Sequence, residues 1–167
     1  MSTLKVGTIQ DPTNSNTAIS IDSSGQVSLG QKVGWLITGT DGTSTITTSP
    51  VPWATVNFDY QSGWNNTHKR YEIQKTGLYM IGWTMATDAD VDTWYLERST
   101  DSGSSYSTLQ GRQQRKPAGG NTFTTTQMII YPLNSGDYIR VRTTGTGYYS
   151  WGPTNPDWMQ FWGAMIG

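Results

Sequence analysis

A series of short segments in which apolar and polar residues alternate, each bounded by turn-forming residues, constrains this fold more than any other feature. Residues 53–59 and 138–143 alternate cleanly, whereas 78–86 is a nearly continuous apolar run, typical of a strand buried on both faces. No segment keeps the 3.6-residue helical period over three turns. About eight strands in roughly 115 residues is the spacing of a jelly roll or related sandwich. We therefore predict an all-β, antiparallel sandwich, either a jelly roll or a related one.

The C-terminal segment, residues 158–167, is almost entirely apolar or aromatic. Terminal residues fray unless they are tied down, and an exposed apolar strand promotes aggregation. We expect this segment to be a strand paired in the middle of a sheet. If the end of the chain completes the core, a compact module displayed on a larger structure is favoured over a free-standing enzyme with a loose tail.

Few charges and many amphipathic rings indicate subunit contacts. Only 14% of residues are charged, against an average of about 25% in soluble domains. The chain has 8 Trp and 9 Tyr but only 3 Phe. Trp and Tyr bury large areas while keeping a polar group, and they are enriched at protein interfaces. We expect extensive contacts between copies; a large core within one subunit is the alternative.

Several classes of partner are disfavoured by composition. A formal net charge of -1 gives no basis for attraction to nucleic acid or anionic lipid. With no Cys, the chain has no disulfide framework and no thiolate chemistry, which fits a bacterial or viral cytoplasmic origin. Its start lacks the pattern of a signal peptide, and no apolar stretch reaches the roughly 20 residues that span a bilayer. We expect no nucleic-acid partner and no membrane insertion.

Residues 1–30 are predicted to form a separate β meander. Apolar and polar residues alternate in 4–10 and 18–22, and 26–29 is a further short strand. A unit below about 40 residues rarely buries enough surface alone, so it must pack on its own copies or on another protein. We interpret it as an attachment segment, with a disordered leader as the alternative. Its anchoring side chains would be Leu4, Val6, Ile9, Ile19 and Ile21.

Residues 31–49 are interpreted as a connector that includes the first strand of the main domain. That strand is expected to start at Trp35 to Ile37, and the stretch rich in Thr, Ser and Gly after it reads as a loop. The main domain then spans 50–167.

The main domain resembles the C1q/TNF-like jelly roll over residues 50–167. The family's pieces occur in order: an aromatic-containing strand at 51–58, Lys-Thr-Gly-Leu-Tyr-Met-Ile at 75–81, a strand, Leu-x-x-Gly-Asp turn and strand at 128–141, and an aromatic-x-Gly strand at 161–166. The resemblance implies a compact homotrimer whose termini lie together at its base.

The N-terminal segments 4–10 and 18–25 resemble those of tailed-phage virion proteins, including cyanophage ones. This resemblance implies that the protein is located in the virion, assembled in the bacterial host cytoplasm, and contacts other virion proteins through residues 1–30. The collagen-type Gly-X-Y stalk of animal C1q proteins is missing from the sequence, so a complement-like role is not implied.

Strand direction suggests where a ligand would bind. If the first and last jelly-roll strands pair antiparallel, both termini lie at one end, and the loop entering the last strand, 145–157, lies at the other. With residues 1–30 anchored, this loop faces outward. Tyr148, Tyr149 and Trp151 are therefore our ligand-binding candidates, because rings stack on sugars and exposed apolar patches mark binding sites. Packing against a neighbouring subunit is the alternative.

Two charged segments are weaker candidates. Arg112, Arg115 and Lys116 lie in a predicted polar loop, 112–120, and would contact an acidic polysaccharide unless they are simply solvated.

Asp88, Asp90 and Asp92 alternate in a way that lets carboxylates converge on Ca²⁺. The segment departs from the EF-hand pattern at Thr93 and Ser99, and a solvated loop is the alternative. No other cofactor is expected.

Catalysis finds little support in the residues present. The single His, His68, lies in a polar turn, and the chain has no Cys and no Gly-x-Ser-x-Gly nucleophile motif. We predict a non-enzymatic phage virion structural protein, a trimeric fibre or decoration protein whose displayed jelly roll binds host surface polysaccharide or another receptor. One alternative is a capsid cement protein without a receptor. The other is a polysaccharide depolymerase using paired carboxylates.

Overall fold

A computed structural model of the protein describes residues 8–10, 17–21, 23–29, 32–40, 50–87, 91–115, 123–144 and 158–167. Within these ranges the regular structure consists of β-strands, and α-helix is absent. The strands are β1 (Thr8–Gln10), β2 (Thr17–Ile21), β3 (Val27–Leu29), β4 (Gly34–Thr40), β5 (Trp53–Asp59), β6 (Trp64–Asn65), β7 (Arg70–Glu72), β8 (Gly77–Thr87), β9 (Val91–Ser99), β10 (Ser107–Arg115), β11 (Phe123–Leu133), β12 (Tyr138–Thr143) and β13 (Gln160–Met165). Across the described ranges, no helix is long and apolar enough to cross a lipid bilayer.

The chain separates into two compact units, Met1–Lys32 and Val33–Gly167. The first unit contains a three-stranded antiparallel sheet in the order β1-β2-β3, which confirms the predicted N-terminal meander. Ile19 is half-buried, whereas Ile9 and Ile21 are exposed. The other predicted anchoring residues, Leu4 and Val6, lie outside the described residues.

The second unit is a sandwich of two five-stranded sheets. Sheet I has the order β11-β8-β13-β4-β5, and sheet II has the order β10-β9-β12-β7-β6. Neighbouring strands in both sheets pair antiparallel. This arrangement confirms the predicted jelly-roll sandwich. Its first strand, expected at Trp35 to Ile37, is β4.

Alternate residues of both sheets point inward and form one aromatic-rich core. The Trp35 ring stacks on Tyr71 of sheet II with centroids 3.8 Å apart, and it meets Phe161 edge-on at 5.6 Å. A Cβ at Gly163 would lie 2.3 Å from the Trp35 ring, so only glycine allows this packing. The remaining fully buried large side chains are Trp53, Trp83, Trp94, Tyr79, Ile37, Ile73, Ile81 and Met85.

The C-terminal strand lies in the interior of sheet I, as predicted. Phe161 of β13 is opposite Trp83 of β8 on one side and Ile37 of β4 on the other. Backbone hydrogen bonds therefore hold the apolar end of the chain along both of its edges.

The expectation that residues 78–86 are buried on both faces is wrong for a single chain. Tyr79, Ile81, Trp83 and Met85 face the core with no exposed surface, whereas Leu78 on the other face is 39% exposed. The reason is that a sandwich covers only one face of each sheet. The apolar residues on the outer face of β8 have no covering layer within the described part of the chain.

The predicted polar loop at residues 112–120 is also partly wrong. Residues up to Arg115 belong to β10, where Gln113 is opposite Thr93 and Arg115 is opposite Val91. β10 is an edge strand of sheet II, so polar side chains replace the usual alternation. The sequence pattern consequently hides the second half of this strand, whereas its first half falls in the strand-like segment 106–110 of the sequence.

Candidate interaction surfaces

The start and the C-terminus of the second unit lie at the same end of sheet I, which we call the base. The Met165 amide donates to the Val33 carbonyl at 3.1 Å, and the Leu78 amide donates to the Gly167 carbonyl at 2.6 Å. β4 and β13 run antiparallel, as the geometric argument required. The covalent link from the first unit therefore enters the jelly roll at its base.

At the opposite end, which we call the apical end, lie the strand ends that flank four connections. The strand ends that flank residues 41–49, 88–90, 116–122 and 145–157 all lie there, as the pairing registers of both sheets require. At the same end the Thr144 amide, just before the last of these segments, donates to the Thr93 carbonyl at 3.2 Å. The jelly-roll topology therefore brings the ends of all four connections to one end of the molecule.

Most of the sequence-predicted ligand residues lie in or beside these connections. The residues outside the described ranges are Tyr148, Tyr149, Trp151, Lys116, Asp88 and Asp90. Asp92 belongs to β9, where its backbone is opposite Gln114, rather than to a loop. Arg112 is an exposed residue of β10 opposite Trp94. In the ranges that the structure describes, no three His, Cys, Asp or Glu residues are grouped closely enough to hold a metal ion.

The first well-defined surface is on the outer face of sheet I. One row of paired residues crosses all five strands of this sheet: Met128, Gly82, Trp162, Leu36 and Phe58. A Cβ on Gly82 would lie 2.2 Å from the Trp162 ring, so the indole extends over the backbone of β8. The missing side chain thus creates a flat aromatic centre in the sheet.

This face is divided into an apolar half toward the base and a polar half toward the apical end. We define the apolar half of sheet I by Leu36, Phe58, Leu78, Met80, Met128, Ile130, Trp162 and Ala164. Met128 and Ile130 are 52% and 57% exposed, unusually high values for large apolar side chains. In the polar half, the Thr84 and Thr126 hydroxyls are hydrogen-bonded at 2.8 Å.

The second surface is on the outer face of sheet II and consists of arginines, tyrosines and one carboxylate. The Glu97 carboxylate accepts hydrogen bonds from Arg140 Nε at 2.8 Å and from Arg142 Nε at 2.5 Å. The Arg140 guanidinium lies 3.4 Å from the centroid of the Tyr106 ring, and that of Arg142 lies 4.3 Å from the Tyr95 ring.

A third stacked pair extends this surface toward β7. The Arg70 guanidinium lies 3.9 Å from the centroid of the Tyr138 ring. We call the whole set the Arg–Tyr ladder: Arg70, Tyr95, Glu97, Tyr106, Tyr138, Arg140 and Arg142. Sequence reasoning noted the clean alternation of β12 but missed the ladder. Its only sequence signal is the spacing of Tyr138, Arg140 and Arg142 on one face of that strand.

Hydrogen bonds hold the turn between β9 and β10 in place beside the ladder. Asp101 accepts hydrogen bonds from the Ser105 hydroxyl and amide and from the Ser99 hydroxyl, and these bonds, led by the Ser105 side chain, lower the pKa of Asp101 to about 2. Arg70 Nη1 donates to the Ser102 carbonyl at 3.3 Å. Gly103 has φ +86°, and a Cβ there would lie 1.6 Å from Arg70 Nη1, so this turn requires glycine.

A half-buried hydrogen-bonded carboxylate elsewhere in the unit has a structural role. Asp59 accepts from the Tyr71 hydroxyl at 3.0 Å, the Trp64 amide at 2.8 Å and the Gln61 amide at 3.2 Å. Burial, followed by the nearby Asp59 charge and hydrogen bond, raises the pKa of Tyr71. These bonds fix the turn between β5 and β6.

The sole histidine of the sequence is in an exposed turn. The His68 backbone amide donates to Asn65 Oδ1 at 2.9 Å, a bond that shapes the turn. This is the surface position that its polar neighbours predicted.

The sequence matches no known protein-family model and no curated protein. Solved structures do match the fold. They include the Eiger TNF from S. frugiperda, with a TM-score of 0.66, 15% identity and coverage of 82% of this chain and 94% of that one. Murine APRIL matches with a TM-score of 0.64, 14% identity and coverage of 81% and 100%. The globular domain of zebrafish complement 1qA matches with a TM-score of 0.64, 11% identity and coverage of 82% and 98%. The second unit therefore has the jelly-roll fold of TNF and C1q domains.

Proposed function

We propose that this protein is a non-enzymatic structural protein of a phage virion, a homotrimeric fibre or decoration protein that displays its jelly roll on the particle. The observation that carries the proposal is the apolar half of sheet I, which no layer of the described residues covers, in a unit whose chain continues from its base into a second, smaller unit. Burial of an exposed apolar surface against a partner is favourable, and the smaller unit is available to attach the protein to the particle.

The shape of the apolar half supports self-association into a closed ring. The exposed apolar residues include Phe58 on the edge strand β5 and Met128 on the opposite edge strand β11. A surface that reaches both edges of a sheet lets one copy contact two neighbours. Head-to-tail contacts form a closed ring when the rotation between neighbours closes, and in the proposed trimer the apolar faces lie around one axis. Monomeric proteins rarely leave contiguous apolar patches larger than a few hundred Å² in water.

The first unit supports the attachment role. It has one small sheet, and its Ile9 and Ile21 side chains are exposed. Exposed isoleucines on a small sheet are suited to packing against another virion protein. Because the linkage enters the jelly roll at the base, attachment through this unit favours an apical end directed toward the host.

Within this proposal the apical connections bind host surface polysaccharide or another receptor. Tyr148, Tyr149 and Trp151 are the contact residues that we propose, because their rings offer faces for sugars. Arg112, Arg115 and Lys116 would add charge for an acidic polymer. Asp88, Asp90 and Asp92 would bind Ca²⁺ only as a secondary feature.

Four of the six carboxylates among the described residues are engaged in ways that argue against a depolymerase. A glycosidase needs two carboxyl groups that face a substrate, one of them able to donate a proton. Glu97 is committed to two arginines, and Asp137 pairs with Arg98 at 2.8 Å and accepts from the Asn134 amide at 2.7 Å. Asp59 and Asp101 are each used to fix turns. We therefore favour binding over hydrolysis.

Immunogold electron microscopy of the virions tests the proposed location, and light scattering of the purified full-length chain tests the trimer. We expect label on the particle and three times the monomer mass. A monomer at micromolar concentration would contradict the oligomer, and unlabelled particles would contradict the virion role.

Glycan-array binding tests the apical receptor site. We expect binding that Tyr149→Ala or Trp151→Ala abolishes while the trimer remains intact. Labelled virions combined with an absence of glycan binding would favour the cement role. Release of reducing sugars from host envelope would instead support the depolymerase.

A further inference from the structure

We propose that the Arg–Tyr ladder on the outer face of sheet II is a binding site for the carboxylate groups of an acidic polysaccharide. This site is distinct from the apical connections. It requires only the folded second unit, so it is independent of the oligomer and of the virion role.

The geometry of Glu97 leaves the terminal amino groups of two ladder arginines, Arg140 and Arg142, available for a ligand. Arg140 and Arg142 both use Nε to reach this carboxylate, so their terminal amino groups are not committed to it. A guanidinium has five N–H donors in a rigid plane. The Arg140 and Arg142 side chains are 22% and 28% exposed, whereas that of Glu97 is only 6% exposed. The acid therefore lies beneath the two arginines and orients them, rather than competing for a ligand in solvent.

Stacking on tyrosine holds each arginine in place before a ligand arrives. The three guanidinium-to-ring distances in the ladder are 3.4, 3.9 and 4.3 Å. Side chains that are already ordered lose little further entropy on binding, which raises affinity for a matching ligand. A planar guanidinium that is oriented in this way matches the two oxygens of a carboxylate.

The spacing of the arginines fits a polymer better than a single small anion. Arg140 and Arg142 are two residues apart on one face of β12, which separates their Cα atoms by about 7 Å. Arg70 lies on β7, the neighbouring strand. A chain of sugars that carries carboxylates along its length can meet more than one of these groups, and multiple weak contacts then combine.

The charge balance favours an acidic polysaccharide over a nucleic acid. The ladder and the adjacent Glu72 carry three positive and two negative side chains, 3 − 2 = +1. Over the whole sequence the formal net charge is -1. A densely charged polyphosphate needs a broad positive field, which this protein lacks. A polymer with isolated carboxylates needs only oriented local donors.

Affinity electrophoresis of the full-length protein in gels that contain polygalacturonate tests the proposal directly. Methyl-esterified polygalacturonate is the matched neutral polymer, and dextran sulfate distinguishes sulfate from carboxylate as the recognised group. We expect retardation by polygalacturonate that decreases with added salt, weak retardation by dextran sulfate and none by the esterified polymer.

Two substitutions locate the site. Arg142→Lys keeps the charge and leaves Arg140 paired with Glu97, but it removes the planar pair of donors. We expect it to weaken apparent affinity for polygalacturonate about tenfold. Lys75→Gln removes one positive charge from an exposed position near the base and should leave the affinity unchanged. Arg70→Lys, which does not involve Glu97, provides a second ladder variant if Arg142→Lys reduces folding.

Several results would overturn the inference. The first is that the protein does not bind polygalacturonate. The second is that dextran sulfate retards the protein as much as polygalacturonate does and that Arg142→Lys does not reduce this retardation. The third is that Arg142→Lys and Lys75→Gln lower the affinity for polygalacturonate equally. Loss of binding in Trp151→Ala with full binding in the ladder variants would assign the polymer to the apical connections instead. That last result would support the proposed receptor site while removing this one.

Discussion

The outer faces of the two sheets differ in how their side chains are satisfied. On sheet I the apolar half has no covering layer in the described chain, and Ile130 is 57% exposed. On sheet II each large polar group of the ladder already contacts another, as in the pairing of Glu97 with two arginines. The first face exposes large apolar side chains that another molecule could cover, whereas the charged groups of the second face are paired within the described chain. In the roles proposed above, the first face serves assembly and the second serves recognition.

The largest expected effect is on sheet I. Met128→Asp places a charge in the proposed contact between copies, and burial of an unpaired charge costs several kcal/mol per subunit. We expect monomers by light scattering, with a far-UV circular dichroism spectrum like that of the unchanged protein. Thr124→Asp adds the same charge in the polar half of the same strand and should leave the trimer intact. A trimer that survives Met128→Asp would show that this face is not the contact.

A moderate effect is expected on sheet II. Glu97→Gln leaves two partly buried guanidinium groups without their counter-charge and should lower the free energy of unfolding by about 2 kcal/mol. Urea denaturation at fixed protein concentration measures this loss. The mass in light scattering should not change, because the ladder is not part of the proposed contact. If Glu97→Gln dissociated the oligomer, the proposal that only sheet I forms the contact between copies would be wrong.

The smallest effect concerns the turn beside the ladder. Hydrogen bonds from Ser105 and Ser99 lower the pKa of Asp101 from 3.8 to about 2, so the folded state favours the ionised form. This contribution is present above pH 3.8 and is lost as the pH falls to about 2. We therefore expect the melting temperature, measured from pH 5 down to pH 2, to fall less steeply with decreasing pH for Asp101→Asn than for the unchanged protein. If the melting temperatures of the two proteins depend on pH in the same way, Asp101 adds no pH-dependent stability.

Much of the fold was predictable because strand alternation and turn residues act locally. The interior position of the last strand followed from the apolar residues 158–167 alone. The exposure of Leu78 was not predictable, because a continuous apolar run does not reveal whether the second covering layer belongs to the same chain. The second half of β10, up to Arg115, was missed because the polar side chains of an edge strand, such as Gln113, resemble those of a loop.

The Arg–Tyr ladder was beyond sequence reasoning for a different reason. Its central contacts join Glu97 to residues 43 and 45 positions later in the chain. A single sequence gives no sign of which strands will be neighbours at that separation. The candidate rings at Tyr148, Tyr149 and Trp151 stay a prediction, since they lie outside the described residues.

The interior position of β13 determines when this protein can complete its fold. β13 joins β4 to β8, so before residue 165 leaves the ribosome the nascent chain has two separate strand pairs with open edges facing each other. Sheet I can therefore close only after β13 has been synthesised. A chain that is truncated before residue 160 would lack the strand that unites the halves of the sheet and would expose two edges to aggregation and proteolysis.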